Sequence, residues 1–241
     1  LDEIIELVDG LMVARGDLGV EIPVEQIPQL QKYIISKANE AAIPVITATQ
    51  ILKSMVDNPR PTRAEVTDVS NAILDGTDAV MLSEETAIGA YPDRAVETMD
   101  RIARHTETCL PGQPWLSRYG TADICAGGAV ARSACQMAES LDLPVIATST
   151  KSGSTTRFVS RHRPRQRLLA MTPDEQTFRS LALVWGAVPL LIEVNDDTDT
   201  LIKQTRAIAE NKNLLGADER MIFTAGIPLN VAGITNLIRI C

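Results

Sequence analysis

Short apolar runs alternate with amphipathic stretches along this chain, and each run ends in polar residues. Residues 10–14 (Gly-Leu-Met-Val-Ala) break off at Arg15-Gly16-Asp17, residues 44–48 (Pro-Val-Ile-Thr-Ala) at Thr49-Gln50, and residues 79–82 (Ala-Val-Met-Leu) at Ser83-Glu84-Glu85-Thr86. Runs this short and apolar read as buried strands. The stretches between them repeat at helical spacing. Ile27, Leu30, Ile34, Ile35 and Ala38 fall near one face of a helix predicted over 24–42. Thr62-Arg63-Ala64-Glu65 is a capping box that opens a second helix through Leu74, with Gly76 as its stop. Pro92, suited to a first helical turn, opens a third through Ala95, Met99 and Ile102. A short helix over 1–7 feeds the first strand. Three strand–helix units in series predict an α/β fold, part of a (β/α)8 barrel. A doubly wound sheet has the same alternation.

The string Leu110-Pro111-Gly112-Gln113-Pro114 interrupts the helical pattern. It predicts a seam between a domain over 1–112 and a second over 116–241. Beyond it, helices over 121–141, 155–162, 175–185 and 198–211 alternate with strands over 144–149, 167–172, 188–192 and 220–224. A last strand over 235–240 closes the chain. Such alternation predicts a mostly parallel sheet with helices on both faces, an α/β sandwich.

Composition narrows the partners. A formal charge of −8 argues against nucleic acid or an anionic membrane, so a bound anion needs a local basic pocket. No apolar run approaches the roughly 20 residues that span a bilayer, and no signal peptide is visible. Cys109, Cys125, Cys135 and Cys241 show no CxxC spacing and read as buried free thiols of a reducing cytosol. His105 and His162 are isolated, which disfavours a histidine-rich zinc site. Arg161-His162-Arg163-Pro164-Arg165, with Arg157 and Arg167, is the one basic concentration. It reads as a solvated helix end, with an interface or anion role as the alternative. The chain opens on Leu1 within an apparent helix, as the later part of something longer would.

Two places carry candidate chemistry. At the end of the first strand, Asp17 offers hard oxygen ligands to a divalent cation, and Gly16 lets a small anion approach exposed backbone N–H groups. An ordinary strand-to-helix turn with Asp17 as a cap has the same sequence. In the second domain, Thr150-Lys151-Ser152-Gly153-Ser154-Thr155 lies between a strand and a helix start. Its hydroxyls, N–H groups and ammonium would cradle a phosphate, or simply cap a helix. The turn over 224–233 between the last strands joins that site only if both loops lie at one edge of the sheet.

The order of motifs is specific. Met-Val-Ala-Arg-Gly-Asp-Leu-Gly (12–19), Ala48-Thr49-Gln50, Asn-Pro-Arg-Pro-Thr-Arg-Ala-Glu (58–65), Asp75-Gly76-Thr77-Asp78, Met81-Leu82-Ser83 with Glu85-Thr86-Ala87 and Gly89, and Tyr91-Pro92 follow one another. In this order, and over essentially the whole chain, the sequence resembles pyruvate kinase. The resemblance implies barrel units six to eight followed by the C-terminal domain of an enzyme that moves the phosphoryl group of phosphoenolpyruvate to ADP, giving pyruvate and ATP. It implies Asp17 as a ligand of Mg2+ (or Mn2+), and the N–H groups of Gly16 and Asp17 as holders of the substrate carboxylate. It implies Thr49 as a catalytic residue that positions the substrate and the proton relay. It further implies K+, a cytoplasmic homotetramer, and a sugar phosphate or AMP as effector at Thr150, Lys151, Ser152, Gly153, Ser154 and Thr155. Glu84 and Ile88 depart from residues common in the family, as in a bacterial-type variant; Ser154 in the effector loop and Asn230 in the effector turn also depart, which leaves the effector's identity open. The family's metal-binding Glu, transition-state Lys, K+ ligands and nucleotide contacts would precede Leu1, so this chain alone is expected to be inactive. A stand-alone phosphosugar-binding module is the alternative.

Overall fold

The structure, a computed structural model, describes residues 1–110, 125–194, 197–229 and 231–241. It divides into two compact units, Leu1–Leu110 and Pro111–Cys241. The seam expected just after Leu110 lies outside the described residues, as does Asn230.

In the first unit, α1 (Asp2–Ile5) precedes β1 (Leu11–Ala14), and α2 (Arg15–Glu21) follows it without an intervening loop. A single 3-10 turn at Val24–Gln26 leads into α3 (Ile27–Glu40), then β2 (Val45–Ala48), α4 (Arg63–Asp75) and β3 (Ala79–Met81). The short α5 (Glu84–Ala87) and the long α6 (Pro92–Thr108) complete the unit. The three strands are parallel in the order β1-β2-β3, with Ala14 beside Ala48 and Ala48 beside Met81. The strands' C-terminal ends therefore lie in one row. α4 starts and stops where the sequence expects. Thr62 accepts the N–H of Glu65, the Glu65 carboxylate accepts the N–H of Thr62, and Gly76 takes φ 103 at the C-cap. Val13, Ile35, Ala38 and Val45 form one apolar cluster, and Ile51, Leu52, Met55, Val69, Ile73, Ala95 and Met99 form another.

In the second unit, α7 (Ala126–Ser140) leads to β4 (Val145–Ser149), α8 (Ser154–Ser160) to β5 (Arg167–Thr172), and α9 (Glu175–Ser180) to β6 (Ala187–Leu191). α10 (Thr198–Asn211) precedes β7 (Ile222–Ala225) and β8 (Leu237–Ile240). The sheet order is β6-β5-β4-β7-β8, parallel except for the antiparallel pair β7·β8. β6 carries Pro189, which has no N–H for a second neighbour, and it lies at the edge. Alternate residues of β4, β5 and β7 serve two cores. Val145, Ala147, Leu169, Met171 and Phe223 pack with Leu201 and Ile202 of α10, whereas Ile146, Leu168 and Ile222 pack with Ala131, Ala134, Cys135 and Ala138 of α7. Helices thus cover both faces of this sheet.

The structure corrects the element limits in places. The helix expected over 175–185 ends at Ser180 and tightens into a 3-10 turn, Leu181–Leu183; Val184 is then extended, and Gly186 at φ 67 leads into β6. The basic cluster is only partly solvated: Arg165 and Arg167 are exposed. Arg161, His162 and Arg163 are buried, with Arg161 over the Phe158 ring and Arg163 over the Trp185 ring, each at 5.2 Å. The guanidinium faces lie on aromatic rings. The thiols divide as well: Cys135 is buried, but Cys109 and Cys125 are exposed and Cys241 is half-buried. Cys125 stands just before α7, where its sulfur accepts the N–H of Gly128.

Candidate functional site

The row of strand ends in the first unit brings Gly16, Asp17 and Thr49 together. α2 begins at Arg15, so Asp17 lies inside its first turn and is not a cap; Ala14 occupies the N-cap without a side-chain bond. An acid in that turn is favoured by the helix dipole. Thr49 follows β2 at φ 68, and Gln50 follows it at φ 56. A β-branched residue in left-handed backbone is strained, and strain of this kind gathers at functional sites. The Thr49 hydroxyl accepts the N–H of Gly16 at 2.8 Å and donates to the carbonyl of Ala48 at 2.7 Å. The Gly16 N–H expected to hold an anion is therefore engaged by Thr49 in this state.

Other residues hold the site without having been singled out. Nη1 of Arg15 lies 2.6 Å from both carboxylate oxygens of Asp68, and its Nη2 donates to the carbonyl of Thr49 at 2.7 Å. Asp68 is on α4, 53 residues from Arg15 in sequence, and only the fold reveals the pairing. Glu85, buried, accepts the N–H of Leu52 at 3.0 Å and of Ser83 at 2.8 Å, tying the end of β3 to the segment after β2. A capped α4 also contributes: the Glu65 carboxylate takes the N–H and hydroxyl of Ser54. Partial burial acts to raise the Glu65 pKa, but its bonds to Ser54 and Thr62 prevail and hold it below the ordinary value. No group of three or more His, Cys, Asp or Glu side chains able to hold a metal occurs among the described residues. Asp17 offers one carboxylate where a hard dication takes about six oxygens. The residues present do not by themselves fit Mg2+.

In the second unit, β4 and β7 pair in parallel and end together, so the loop at 150–155 meets the turn between β7 and β8. Thr150, Lys151, Ser152, Ser154 and Thr155 line a pocket with Gly226 and Gly233. The Thr155 hydroxyl is bonded to that of Thr235 at 2.7 Å, joining the loops, and Ser152 donates to Ser154 at 3.2 Å. Asn236 clamps Ile227 through both its N–H and its carbonyl at 2.8 Å. Gly153 is the N-cap of α8 at φ 82 and makes no side-chain cap bond, so the loop is not a conventional Ser/Thr cap. Lys151 is exposed and has Asp174 nearby as a counter-charge.

Comparison with known proteins agrees with the motif order. The family model for the pyruvate kinase barrel domain matches residues 1–96, and that for the pyruvate kinase alpha/beta domain matches residues 128–241. A pyruvate kinase of Clostridium acetobutylicum is 44% identical over 241 residues, 100% of this chain and 51% of that protein. One from Geobacillus stearothermophilus is 46% identical over the same length and is covered for 41%. A crystal structure of a pyruvate kinase from Cryptosporidium parvum matches with TM-score 0.92 and 39% identity, over 100% of this chain and 48% of that one. The chain spans about half the length of the curated relatives it matches, or less.

Proposed function

Since the chain belongs to the pyruvate kinase family, we propose that it is the part of such an enzyme comprising barrel units six to eight (1–112) and the effector-binding α/β domain (116–241). The reaction is transfer of the phosphoryl group of phosphoenolpyruvate to ADP, which yields ATP and the enolate of pyruvate, followed by protonation of that enolate at its methylene carbon. Phosphoryl transfer asks a protein for positioning and charge neutralisation rather than covalent chemistry. One observation supports the reading most: the Gly16 N–H and the Thr49 hydroxyl, from adjacent strand ends, meet at 2.8 Å. The substrate carboxylate takes the Gly16 and Asp17 N–H groups, and the Thr49 hydroxyl, released from Gly16, turns to the enolate face as the proton path. Mg2+ (or Mn2+) and K+ belong to the whole enzyme, with Asp17 one ligand among several supplied from elsewhere. No step here depends on them. The pocket at 150–155 takes the phosphate of a sugar phosphate or of AMP. The full-length protein is a cytoplasmic homotetramer; no helix among the described residues is long and apolar enough to cross a membrane.

The test is phosphoenolpyruvate-dependent ATP formation. A full-length protein carrying this sequence should turn over, and Thr49→Val should lower kcat by about 10²–10⁴, as loss of a positioned proton-transfer group does. The 241-residue chain alone should show no rate above background. Wild-type turnover by Asp17→Ala at ordinary Mg2+ would remove Asp17 from the ligand set. A robust rate from the isolated chain would place the chemistry elsewhere.

A further inference from the structure

We propose that Arg15 is a positioning residue for the site: anchored by Asp68, its guanidinium holds the Thr49 peptide in left-handed backbone and so sets where the Thr49 hydroxyl and the Gly16 N–H stand. The inference rests on the reading of Thr49 given above. Thr49 and Gln50 are consecutive non-glycine residues at positive φ, a conformation that L side chains resist and that persists only where surrounding contacts impose it. The contacts are at hand. Thr49 is held from three sides: its carbonyl by Arg15 Nη2 at 2.7 Å, its hydroxyl by the Gly16 N–H at 2.8 Å, and the same hydroxyl by the Ala48 carbonyl at 2.7 Å. Arg15 is adjacent to Gly16 in the chain, so one residue fixes both partners of the Gly16–Thr49 bond. Its side chain is only 11% exposed, which lessens screening of its pair with Asp68 by water.

Arginine is suited to this by shape. One nitrogen of the fork faces the Asp68 carboxylate while the other reaches a carbonyl on a different strand end. An ammonium can satisfy Asp68 but lacks the rigid fork. Nε of Arg15 is buried and has no partner among the described residues, so lysine also deletes an unsatisfied donor. Arg15→Lys should therefore cost little stability, whereas the Thr49 peptide loses its hold.

The experiment uses the full-length enzyme and compares Arg15→Lys, Asp68→Asn and Thr49→Val. Three quantities are measured: kcat and KM for phosphoenolpyruvate, proton exchange at the methyl group of pyruvate, and the unfolding midpoint. In Arg15→Lys and Asp68→Asn, kcat and proton exchange should both fall about 10- to 100-fold, the scale of a small misplacement of reacting groups. KM should change less than kcat. The midpoint should stay within a few degrees, and the double variant should be no slower than the worse single one. Full activity in both variants, with Thr49→Val impaired, would overturn the positioning role and leave the reading of Thr49 standing. Full activity in all three would overturn both. If Arg15→Lys does not fold, Asp68→Asn decides alone by the same two outcomes.

Discussion

Cys135 has nowhere to put a negative charge. It is buried among alanines of α7 and apolar residues of β4 and β7, and burial, with Glu139 adding to it, pushes its thiol up to about 12. Cys109 and Cys125 stand in solvent. A thiol reagent at roughly pH 8 should therefore label Cys109 and Cys125 in the native protein and reach Cys135 only after unfolding, as mass spectrometry of the labelled peptides would read. Early labelling of Cys135 would mean that α7 opens. Glu65 titrates the other way. Its folded pKa is depressed, so its contribution is present above the unfolded value, ordinarily 4.5, and is lost as pH falls through the lower folded value. Glu65→Gln should flatten the fall in stability of the first unit between roughly pH 5 and 3, and Thr62→Ala should cost about 1 kcal/mol, both measurable by denaturant titration. An unchanged pH slope in Glu65→Gln would show that other carboxylates govern it. Residue chemistry was legible where the partner is local, as in the Thr62–Glu65 box. It was illegible for Arg15–Asp68, for Glu85 and for the buried arginines. Their partners come from other elements, and a run of charge in sequence does not disclose the rings that cover it.

At the scale of elements, the apolar runs and helical faces anticipated every strand and the longer helices, since periodicity is set by burial on one face or two. The short α2 escaped because two glycines and an Arg-Gly-Asp string look like a turn; contact between Gly16 and Thr49 helps hold it. The loop at 150–155 was visible as candidate chemistry, but its geometry was not. Thr155 spends its hydroxyl on Thr235, and Gly153 is needed for its conformation. A Cβ on Gly153 would lie 2.7 Å from Arg157 Nη1 and 3.3 Å from Leu181 Cδ2, at φ 82. Gly153→Ala should destabilise the second unit by about 1–2 kcal/mol, the cost of a side chain in left-handed backbone, and should abolish phosphate-ester binding. Gly226 is more constrained: a Cβ there would run into the backbone carbonyl of Ile234, which cannot swing away as a side chain can. Gly226→Ala should therefore be the more damaging of the two. Equal unfolding free energies for both variants would show that the β7–β8 turn yields readily.

At the scale of the molecule, each unit has its own core, and the two differ in completeness. The sheet of the first unit has three parallel strands, and β1 pairs with β2 alone among the described residues. Met12 on that strand is 49% exposed, and Leu18 beyond it lines an open hollow with Val20 and Ile34. An unpaired parallel edge beside exposed apolar side chains is a poor stopping point for a fold. The second unit presents the opposite case. Its five strands are covered on both faces, Pro189 sits on one edge strand, and β8 closes the other. Residues 111–241 should therefore fold alone and unfold in one cooperative step, while residues 1–110 alone should aggregate or remain loosely packed. Calorimetry of the two pieces separates these outcomes; a cooperative, monomeric 1–110 would show that three units suffice. The folded 111–241 piece then tests the pocket directly. Titration with fructose 1,6-bisphosphate, ribose 5-phosphate, glucose 6-phosphate and AMP should give binding by at least one, absent for its unphosphorylated analogue. The exposed Lys151 ammonium makes that affinity fall with added salt. Lys151→Met should weaken it about tenfold or more, since a hydrogen bond to a charged group is worth roughly 1.5–3 kcal/mol. Silence from all four ligands at millimolar concentration would leave the loop as a structural brace between β4 and β7.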